Sequence, residues 1–334
     1  MSKRRSRLSL EAFAAGITQG DRVILGRAIT LVESNLNADK QLSSNLINQL
    51  LPETGKALRI GITGVPGVGK SSFIETFGSY LCEKGNKVAV LAIDPSSQRT
   101  GGSILGDKTR MEQLAHHPNA FIRPSPTGNS LGGVATKTRE TMLLCEAAGY
   151  EIILVETVGV GQSEVAVKDM TDFFLLLMLA GAGDELQGIK KGIMEMADGI
   201  AITKADGDNI KASKRARAEY ENALHLFPPD LSGWSPEVLI CSAKDHTGIE
   251  DIWKLITTYE AQMKESGYFQ HQRNEQNHRW MHEIIKHELI DQFFTSQKVQ
   301  DALSGIENKL MSNQITPRAA AESLMDIHRN DSTD

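Results

Sequence analysis

The glycine-rich segment Gly64-Val-Pro-Gly-Val-Gly-Lys-Ser71 restricts the fold of this chain more than any other feature of its sequence. The apolar run Leu58–Val65 leads into it, and the stretch Ser71–Glu83 that follows has a helical pattern. Glycines let a loop curl so that several backbone N–H groups point at one anion, and the start of a helix adds partial positive charge. The segment matches GxxxxGK[ST] at every fixed position, so it predicts a phosphate-binding P-loop between a strand and a helix.

The chemistry of a triphosphate assigns roles within this loop. We expect the ammonium of Lys70 to stabilise the β- and γ-phosphates, which makes it a candidate catalytic group, and the hydroxyl of Ser71 to bind Mg²⁺. The nucleotide-binding residues predicted from the loop are Gly64, Val65, Pro66, Gly67, Val68, Gly69, Lys70, Ser71 and Ser72.

Short apolar runs alternate with helical stretches between residues 57 and 262. The runs predicted to be strands are Leu58–Val65, Lys87–Ile93, Glu151–Glu156, Asp172–Leu179, Gly199–Thr203 and Glu237–Cys241. Such alternation implies βαβ units, so we predict an α/β fold with a doubly wound, mostly parallel sheet.

The segments on both sides of residues 57–262 have a helical pattern. Leu25, Ile29, Val32 and Leu36 recur at steps of three or four, and Pro52–Gly55 then interrupts the pattern as a linker. The C-terminal part is rich in charge, Gln and Asn and has no convincing strand. We predict a helical extension at 1–56, a P-loop domain at 57–262 and a helical segment at 263–334.

Composition limits the partners. The formal net charge of −6 does not suit a nucleic-acid-binding surface, and the longest apolar run, Phe173–Ala182, is about half a membrane span and is expected to be a buried strand. The cysteines Cys82, Cys145 and Cys241 lie far apart, as in proteins of a reducing compartment. We therefore expect a cytoplasmic protein without nucleic-acid or membrane partners.

The segment Thr203-Lys-Ala-Asp206 resembles the NKxD motif that binds guanine in GTPases. The carboxylate of Asp206 can accept hydrogen bonds from guanine N1–H and N2–H₂, whereas adenine has neither donor and would leave it unpaired. The stem of Lys204 can cover the face of the base. Thr203 stands where Asn is usual, and we expect this exchange to weaken the bracing of the P-loop and the base.

A second base-contacting loop is predicted at Ser242-Ala243-Lys244, directly after the last apolar run. A backbone N–H of this loop can meet O6 of guanine. With both loops in place, the sheet is expected to be of the P-loop GTPase type, with GTP as substrate, GDP as product and Mg²⁺ as the metal.

Acidic residues near the ends of predicted strands form the expected hydrolytic side of the site. Asp94 and Glu156 end two such strands, and the carboxyl ends of parallel strands open on the nucleotide crevice. Glu156-x-x-Gly159 resembles DxxG with the longer Glu, which we expect to reach Mg²⁺ through water, while the N–H of Gly159 senses the γ-phosphate. The predicted metal ligands are Ser71, Asp94, Asp107 and Glu156, and the predicted catalytic residues are Lys70, Asp107 and Glu156.

Asp107 lies in a glycine-rich stretch, residues 100–110, that is typical of a switch loop. It can hold the attacking water or the metal, and a simple helix N-cap is its alternative role.

Three other functions of the protein stay open on the residues alone. They are a P-loop kinase, a nucleotide-dependent scaffold with negligible turnover, and a GTPase that delivers nickel.

Several long segments resemble the methylmalonyl-CoA mutase-associated GTPases, a family once labelled arginine/ornithine transport ATPases or kinases. The segments are GITGVPGVGKSSFIE, AIDPSSQRTGGSILGDKTRM, RPSPTGNSLGGVA, LLCEAAGYEIILVETVGVGQSE and AGAGDELQGIKKGIMEMAD. The resemblance covers nearly the whole chain. It implies GTPase-site roles for Lys70, Asp94, Asp107 and Glu156, and an extra switch at about Gly181–Gly192.

The same resemblance implies a function. Members of this family are homodimers whose C-terminal helices form the dimer. They gate adenosylcobalamin loading and protect a B12-dependent acyl-CoA mutase, methylmalonyl-CoA mutase, from inactivation. The partner expected here is therefore that mutase or a related one.

Overall fold

Strands and helices alternate through most of the chain. The computed structural model describes residues 8–93, 111–124, 131–157, 163–181, 191–228 and 231–331. The strands are β1 (Leu58–Gly64), β2 (Val88–Ile93), β3 (Ala120–Arg123), β4 (Ile152–Thr157), β5 (Phe173–Leu179), β6 (Gly199–Thr203) and β7 (Glu237–Ile240). The helices are α1 (Leu10–Thr18), α2 (Arg22–Glu33), α3 (Asn37–Leu50), α4 (Lys70–Glu83), α5 (Glu112–His116), α6 (Leu131–Ala147), α7 (Ser163–Lys168), α8 (Lys191–Met196), α9 (Ile210–Leu224), α10 (Ile249–Glu265), α11 (Tyr268–Thr295), α12 (Gln297–Met311) and α13 (Pro317–Asp331).

The described strands form one seven-stranded sheet in the order β3-β2-β4-β1-β5-β6-β7. Every pairing in it is parallel. Strand β1 lies between β4 and β5, so the segment that follows β1 leaves from the middle of the sheet. This arrangement confirms the predicted parallel α/β fold, and it places the glycine-rich loop at the point where the strand order turns, which is where such sheets bind ligands.

Side chains of the central strands alternate between two apolar cores. Ile60 and Leu154 pack on one face with residues of α4 and α10. Ile153 and Val155 pack on the other face with residues of α6 and of the N-terminal helices. Because both faces are covered, the strands are apolar through most of their length, which is why the sequence shows nearly continuous apolar runs.

Helices α1 to α3 belong to the second of these cores. Leu25, Ile29 and Val32 are buried there, as their spacing predicted. Leu36, which continues the same spacing, is exposed because α2 ends at Glu33. The carboxylate of Asp21 caps α2 by accepting from the N–H groups of Val23 and Ile24, at 2.8 and 3.1 Å.

Strand β3 has no counterpart among the predicted strands. It has only four residues and lies at the edge of the sheet, so it carries no long apolar run. The strands that were predicted agree with the observed ones to within a residue or so at each end.

The chain forms two compact units, residues 1–276 and 277–334. The first contains the sheet and the N-terminal helices, and the boundary falls within α11. The second contains the rest of α11 together with α12 and α13. The division into 1–56, 57–262 and 263–334 stays a prediction. Among the described residues, no helix is long and apolar enough to cross a membrane.

A buried ion pair fixes the start of α11 within the first unit. The guanidinium of Arg273, whose side chain is almost fully buried, donates to both carboxylate oxygens of Asp172, each at 2.7 Å. It also donates to the carbonyls of Gly55 and Ala57, each at 2.6 Å. The N–H of Arg59 donates to the same carboxylate at 2.8 Å. The pair therefore ties α11 to the segments that begin β1 and β5.

Substitution of Arg273 by Ala is expected to lower the free energy of unfolding by about 3–5 kcal/mol, because it leaves the buried carboxylate of Asp172 without its cation. Arg215→Ala is the control, since Arg215 pairs with Glu219 at 3.0 Å on the exposed surface of α9 and should change stability by less than about 1 kcal/mol. Urea unfolding followed by circular dichroism measures both. Equal midpoints for the two variants would show that the buried pair adds no stability.

Candidate functional site

The glycine-rich loop joins the end of β1 to the start of α4. A Cβ atom on Gly64 would lie 2.5 Å from the carbonyl oxygen of Leu177 on β5, so only glycine permits this approach. Gly69 precedes α4 with a φ of 94°, in the left-handed region. The loop therefore ends at the N-terminus of a 14-residue helix, where backbone N–H groups and the helix dipole favour an anion.

Lys70 lies over the loop. Its ammonium donates to the carbonyl of Gly64 at 2.7 Å and lies 3.4 Å from the carbonyl of Val65. Partial burial lowers the pKa of Lys70, while the carboxylates of Glu156 and Glu164 act in the opposite direction. The ammonium is therefore positioned at the loop with two acidic side chains near it.

Two of the predicted metal ligands lie together. The hydroxyl of Ser71, in the first turn of α4, is 3.5 Å from a carboxylate oxygen of Glu156, which is buried at the end of β4. A hydroxyl and a carboxylate are hard oxygen donors, and such donors suit Mg²⁺. Asp94, Asp107 and Gly159, which were predicted for the same side of the site, lie outside the described residues.

The end of β6 braces the loop from the other side. The hydroxyl of Thr203 donates to the carbonyl of Val68 at 2.6 Å, and the ammonium of Lys204 donates to the carbonyl of Gly67 at 2.7 Å. We expected Thr in place of Asn to weaken this brace. The hydrogen bond from Thr203 is made, and that it is weaker than one from Asn stays a prediction.

Asp206 and Ser242 connect the two predicted base-binding loops. The hydroxyl of Ser242 donates to Asp206 Oδ2 at 2.7 Å and accepts from the N–H of Asp245 at 3.1 Å. Ser242 is fully buried, so this contact holds the carboxylate of Asp206 in a fixed orientation.

Residues from three separate parts of the sequence line one cavity of about 280 Å³. Burial raises the pKa of Cys241 to about 12, so its thiol is a neutral part of the wall. The lining residues are Val68, Gly69, Ser72, Phe73, Thr203, Lys204, Asp206, Cys241, Ala243 and Lys244. The structure thus brings the loop at 64–72 together with the segments at 203–206 and 242–244.

Sequence reasoning missed several groups of this site. Glu164 on α7 is buried and close enough to raise the pKa of Lys70. The hydroxyl of Thr157 on β4 donates to that of Thr63 on β1 at 2.9 Å, next to the loop. A buried acid in a short helix leaves no local sequence pattern, and neither does a pair of threonines 94 residues apart. These residues are recognised as part of the site only from their buried positions in the structure.

Comparisons with known proteins place the chain in a family. The family model for "Methylmalonyl Co-A mutase-associated GTPase MeaB" matches residues 25–298. GTPase ArgK of Escherichia coli is 46% identical over 311 residues, which cover 93% of this chain and 94% of that protein. The "Methylmalonic aciduria type A homolog, mitochondrial" of Mus musculus is 45% identical over 320 residues, which cover 93% of this chain and 77% of that protein.

A solved structure agrees with these sequence matches. The crystal structure of an LAO/AO transport system kinase superposes with a TM-score of 0.75 at 38% identity, covering 97% of this chain and 100% of that one. The P-loop GTPase-like sheet with helical extensions at both ends is therefore confirmed. By its family model, its relatives and its fold, the chain is a GTPase and belongs to the methylmalonyl-CoA mutase-associated GTPases.

Proposed function

We propose that this GTPase binds GTP with its base in the cavity of about 280 Å³ and its phosphates on the glycine-rich loop. The observation that carries the proposal is the meeting of Gly69, Asp206 and Ala243, from three distant segments, around one cavity. Asp206 accepts from N1–H and N2–H₂ of guanine, and the loop Ser242–Lys244 offers backbone N–H groups to O6. Lys204 covers one face of the base with its methylene stem.

The hydrolytic roles follow from the same arrangement. Lys70 leaves the loop carbonyls and contacts the β- and γ-phosphate oxygens, where its charge stabilises the phosphoryl group as water replaces GDP on the γ-phosphorus. Ser71 and Glu156 hold Mg²⁺, together with Asp94 and Asp107 on the evidence of sequence. Bound Mg²⁺ neutralises charge on the phosphate oxygens. Asp107 and Glu156 orient the attacking water, and the N–H of Gly159 contacts the γ-phosphate.

Substitution of Asp206 by Asn should shift the preference of the protein from guanosine to xanthosine triphosphate, because the amide donates where the carboxylate accepted. We expect GTP affinity to fall on the order of 100-fold, since hydrogen bonds to charged groups contribute about 1.5–3 kcal/mol each. The control is Asp208→Asn, two residues away on the exposed turn at Gly207–Asn209. Calorimetric titration with both nucleotides measures the effect. GTP affinity equal to that of the control would refute the guanine pocket.

The client is proposed from the family. The description of the matching family names methylmalonyl-CoA mutase, and we infer that this protein gates adenosylcobalamin loading of that mutase, or of a related B12-dependent acyl-CoA mutase, and protects it from inactivation. The segment Gly181–Gly192, which begins just after β5 and runs into α8, is the proposed switch toward the mutase. Residues 182–190 lie outside the described residues. A partner that favours one state of this segment must change nucleotide handling by the same coupling.

Methylmalonyl-CoA mutase is therefore expected to accelerate GTP hydrolysis. Replacing Lys190 and Lys191 together by Ala should remove most of the acceleration and leave basal hydrolysis nearly unchanged, because neither lysine has a proposed role at the phosphates or the base. The matched control replaces Lys211 and Lys214, two exposed lysines of α9, by Ala. Phosphate release with and without mutase measures all three proteins. Equal stimulation of both variants would remove this segment from the proposed path to the mutase.

A homodimer formed through the C-terminal segment is proposed from an apolar stripe. Met281, Ile285 and Leu289 recur every four residues along α11 and are 48%, 46% and 59% exposed. Successive residues four apart lie on one side of a helix, so these side chains form a continuous strip. An exposed apolar strip on a soluble helix is typical of a protein–protein contact.

Changing Ile285 and Leu289 together to Glu should convert the dimer to a monomer, because two charges per chain would be buried at the contact. Leu226→Glu with Leu231→Glu is the control, since these leucines are 83% and 97% exposed in the first unit, away from α11 in sequence. Size-exclusion chromatography with light scattering gives the mass, and GTP binding should persist in both variants. A dimer that survives the α11 changes would place its contact elsewhere.

A further inference from the structure

Thr76 on α4 makes an unusual hydrogen bond for a threonine in a helix. The hydroxyls of Thr30, Thr138 and Thr141 all donate to the carbonyl four residues earlier in their own helices. That is the common behaviour of helical threonine. Thr76 is buried, and its hydroxyl donates instead to the carbonyl of Ala243, at 3.1 Å and 167 residues away in sequence.

The bonded carbonyl belongs to the peptide unit between Ala243 and Lys244. No peptide bond in the described residues is cis, so this unit is trans, and the N–H of Lys244 points opposite to the carbonyl of Ala243. A contact that fixes the carbonyl also fixes the direction of that N–H. Thr76 therefore acts on the backbone of the base loop rather than on any of its side chains.

The loop presents donors that have no acceptor among the described residues. Neither the N–H of Ala243 nor that of Lys244 donates a hydrogen bond to another residue in the part of the chain that the structure describes. Both residues line the cavity of about 280 Å³. Ala243 is half-buried, so its N–H is costly to leave unpaired and an acceptor in the cavity is favoured, whereas Lys244 is exposed.

The two ends of the loop at residues 242–248 are held by other contacts. The N–H of Ser242 donates to the carbonyl of Thr247 at 3.0 Å, and its hydroxyl holds Asp206. Gly248 closes the loop with a φ of 73°, and a Cβ there would lie 2.1 Å from the carbonyl oxygen of Ile240. Between these two ends, Thr76 of α4 contacts the loop at Ala243.

We propose that Thr76 is a positioning residue for guanine recognition. Its hydroxyl holds the Ala243 carbonyl against α4, and this aims the N–H of Lys244 at O6 of the base, beside the N–H of Ala243. Thr76 itself does not touch the nucleotide. The inference rests on the proposed guanine cavity and extends it, because it assigns the O6 half of recognition to a residue outside both base motifs.

Two variants distinguish the effect of the Thr76 hydroxyl from the effect of side-chain size. Thr76→Val removes the donor and keeps a similar shape, and Thr76→Ser keeps the donor. Thr258→Val is the control, because the hydroxyl of Thr258 bonds only within its own helix, at 2.8 Å to the carbonyl of Lys254. Melting temperatures of all variants show whether each is folded.

Three nucleotides report on the two halves of the base. GTP and inosine triphosphate both carry O6 and N1–H, whereas 2-aminopurine riboside triphosphate lacks both, so O6 is tested by the change that each variant causes with each nucleotide. We expect Thr76→Val to weaken binding of GTP and of inosine triphosphate by about three- to tenfold, as for loss of one neutral hydrogen bond. Binding of the 2-aminopurine nucleotide should stay unchanged, as should kcat at saturating GTP. Thr76→Ser should bind all three like the wild type.

Other outcomes overturn the inference in distinguishable ways. If the wild type prefers GTP over the 2-aminopurine nucleotide but Thr76→Val weakens all three equally or none, Thr76 does not act through O6. The same follows if Thr76→Ser binds like Thr76→Val. If the wild type binds GTP and the 2-aminopurine nucleotide equally, the proposed guanine cavity fails as well, and Thr76 has nothing to position.

Discussion

The position of β1 in the middle of the parallel sheet is the constraint on which the site depends. With β4 on one side and β5 on the other, β1 has no room for a side chain where it ends, because a Cβ on Gly64 would collide with the backbone of β5. The glycine loop must therefore leave the sheet at this point. The carboxyl ends of the neighbouring strands lie at the same edge of the sheet. Glu156 at the end of β4 and Thr203 at the end of β6 therefore reach the loop directly from their strands.

Charge around the loop supports the proposal that a divalent cation binds there with the nucleotide. Glu156 and Glu164 both lie close enough to Lys70 to affect its pKa, and both are buried. A triphosphate brought to the loop would add negative charge beside these two carboxylates, and one ammonium, itself partly desolvated, cannot offset all of it. A cation held by Glu156 would offset that repulsion. With the proposed function, we therefore expect the two acids to make nucleotide binding depend on Mg²⁺.

The sequence predicts best what local pattern encodes. The strands were predicted because both faces of the sheet are covered and the runs are apolar through most of their length, and the site loops were predicted because their residue types keep fixed spacing after those strands. The edge strand β3 was missed because four residues carry too little pattern. The Arg273–Asp172 pair, which joins residues 101 apart, and the contact of Thr76 with Ala243 were missed for another reason. A long-range polar contact leaves no periodic trace, and each partner alone resembles an ordinary surface residue. The brace from Thr203 to Val68 is made, and the prediction that it is weaker than one from Asn stays a prediction, because residue type alone does not determine how near Val68 lies.

Helix α4 ties phosphate binding and base recognition to one rigid element. Its first turn carries Lys70 and Ser71 for the phosphates, and Thr76, less than two turns later, holds the base loop. The hydrogen bond from Thr203 to Val68 joins the glycine-rich loop to β6. A large shift of one of these parts would break contacts in the others, so we expect the frame to change little between the GTP and GDP states. With the proposed function, we expect a nucleotide-dependent signal to the mutase to travel through segments outside this frame. That requirement favours the segment after β5, which has no contact to make with the base in our proposal, as the path by which the γ-phosphate influences the partner.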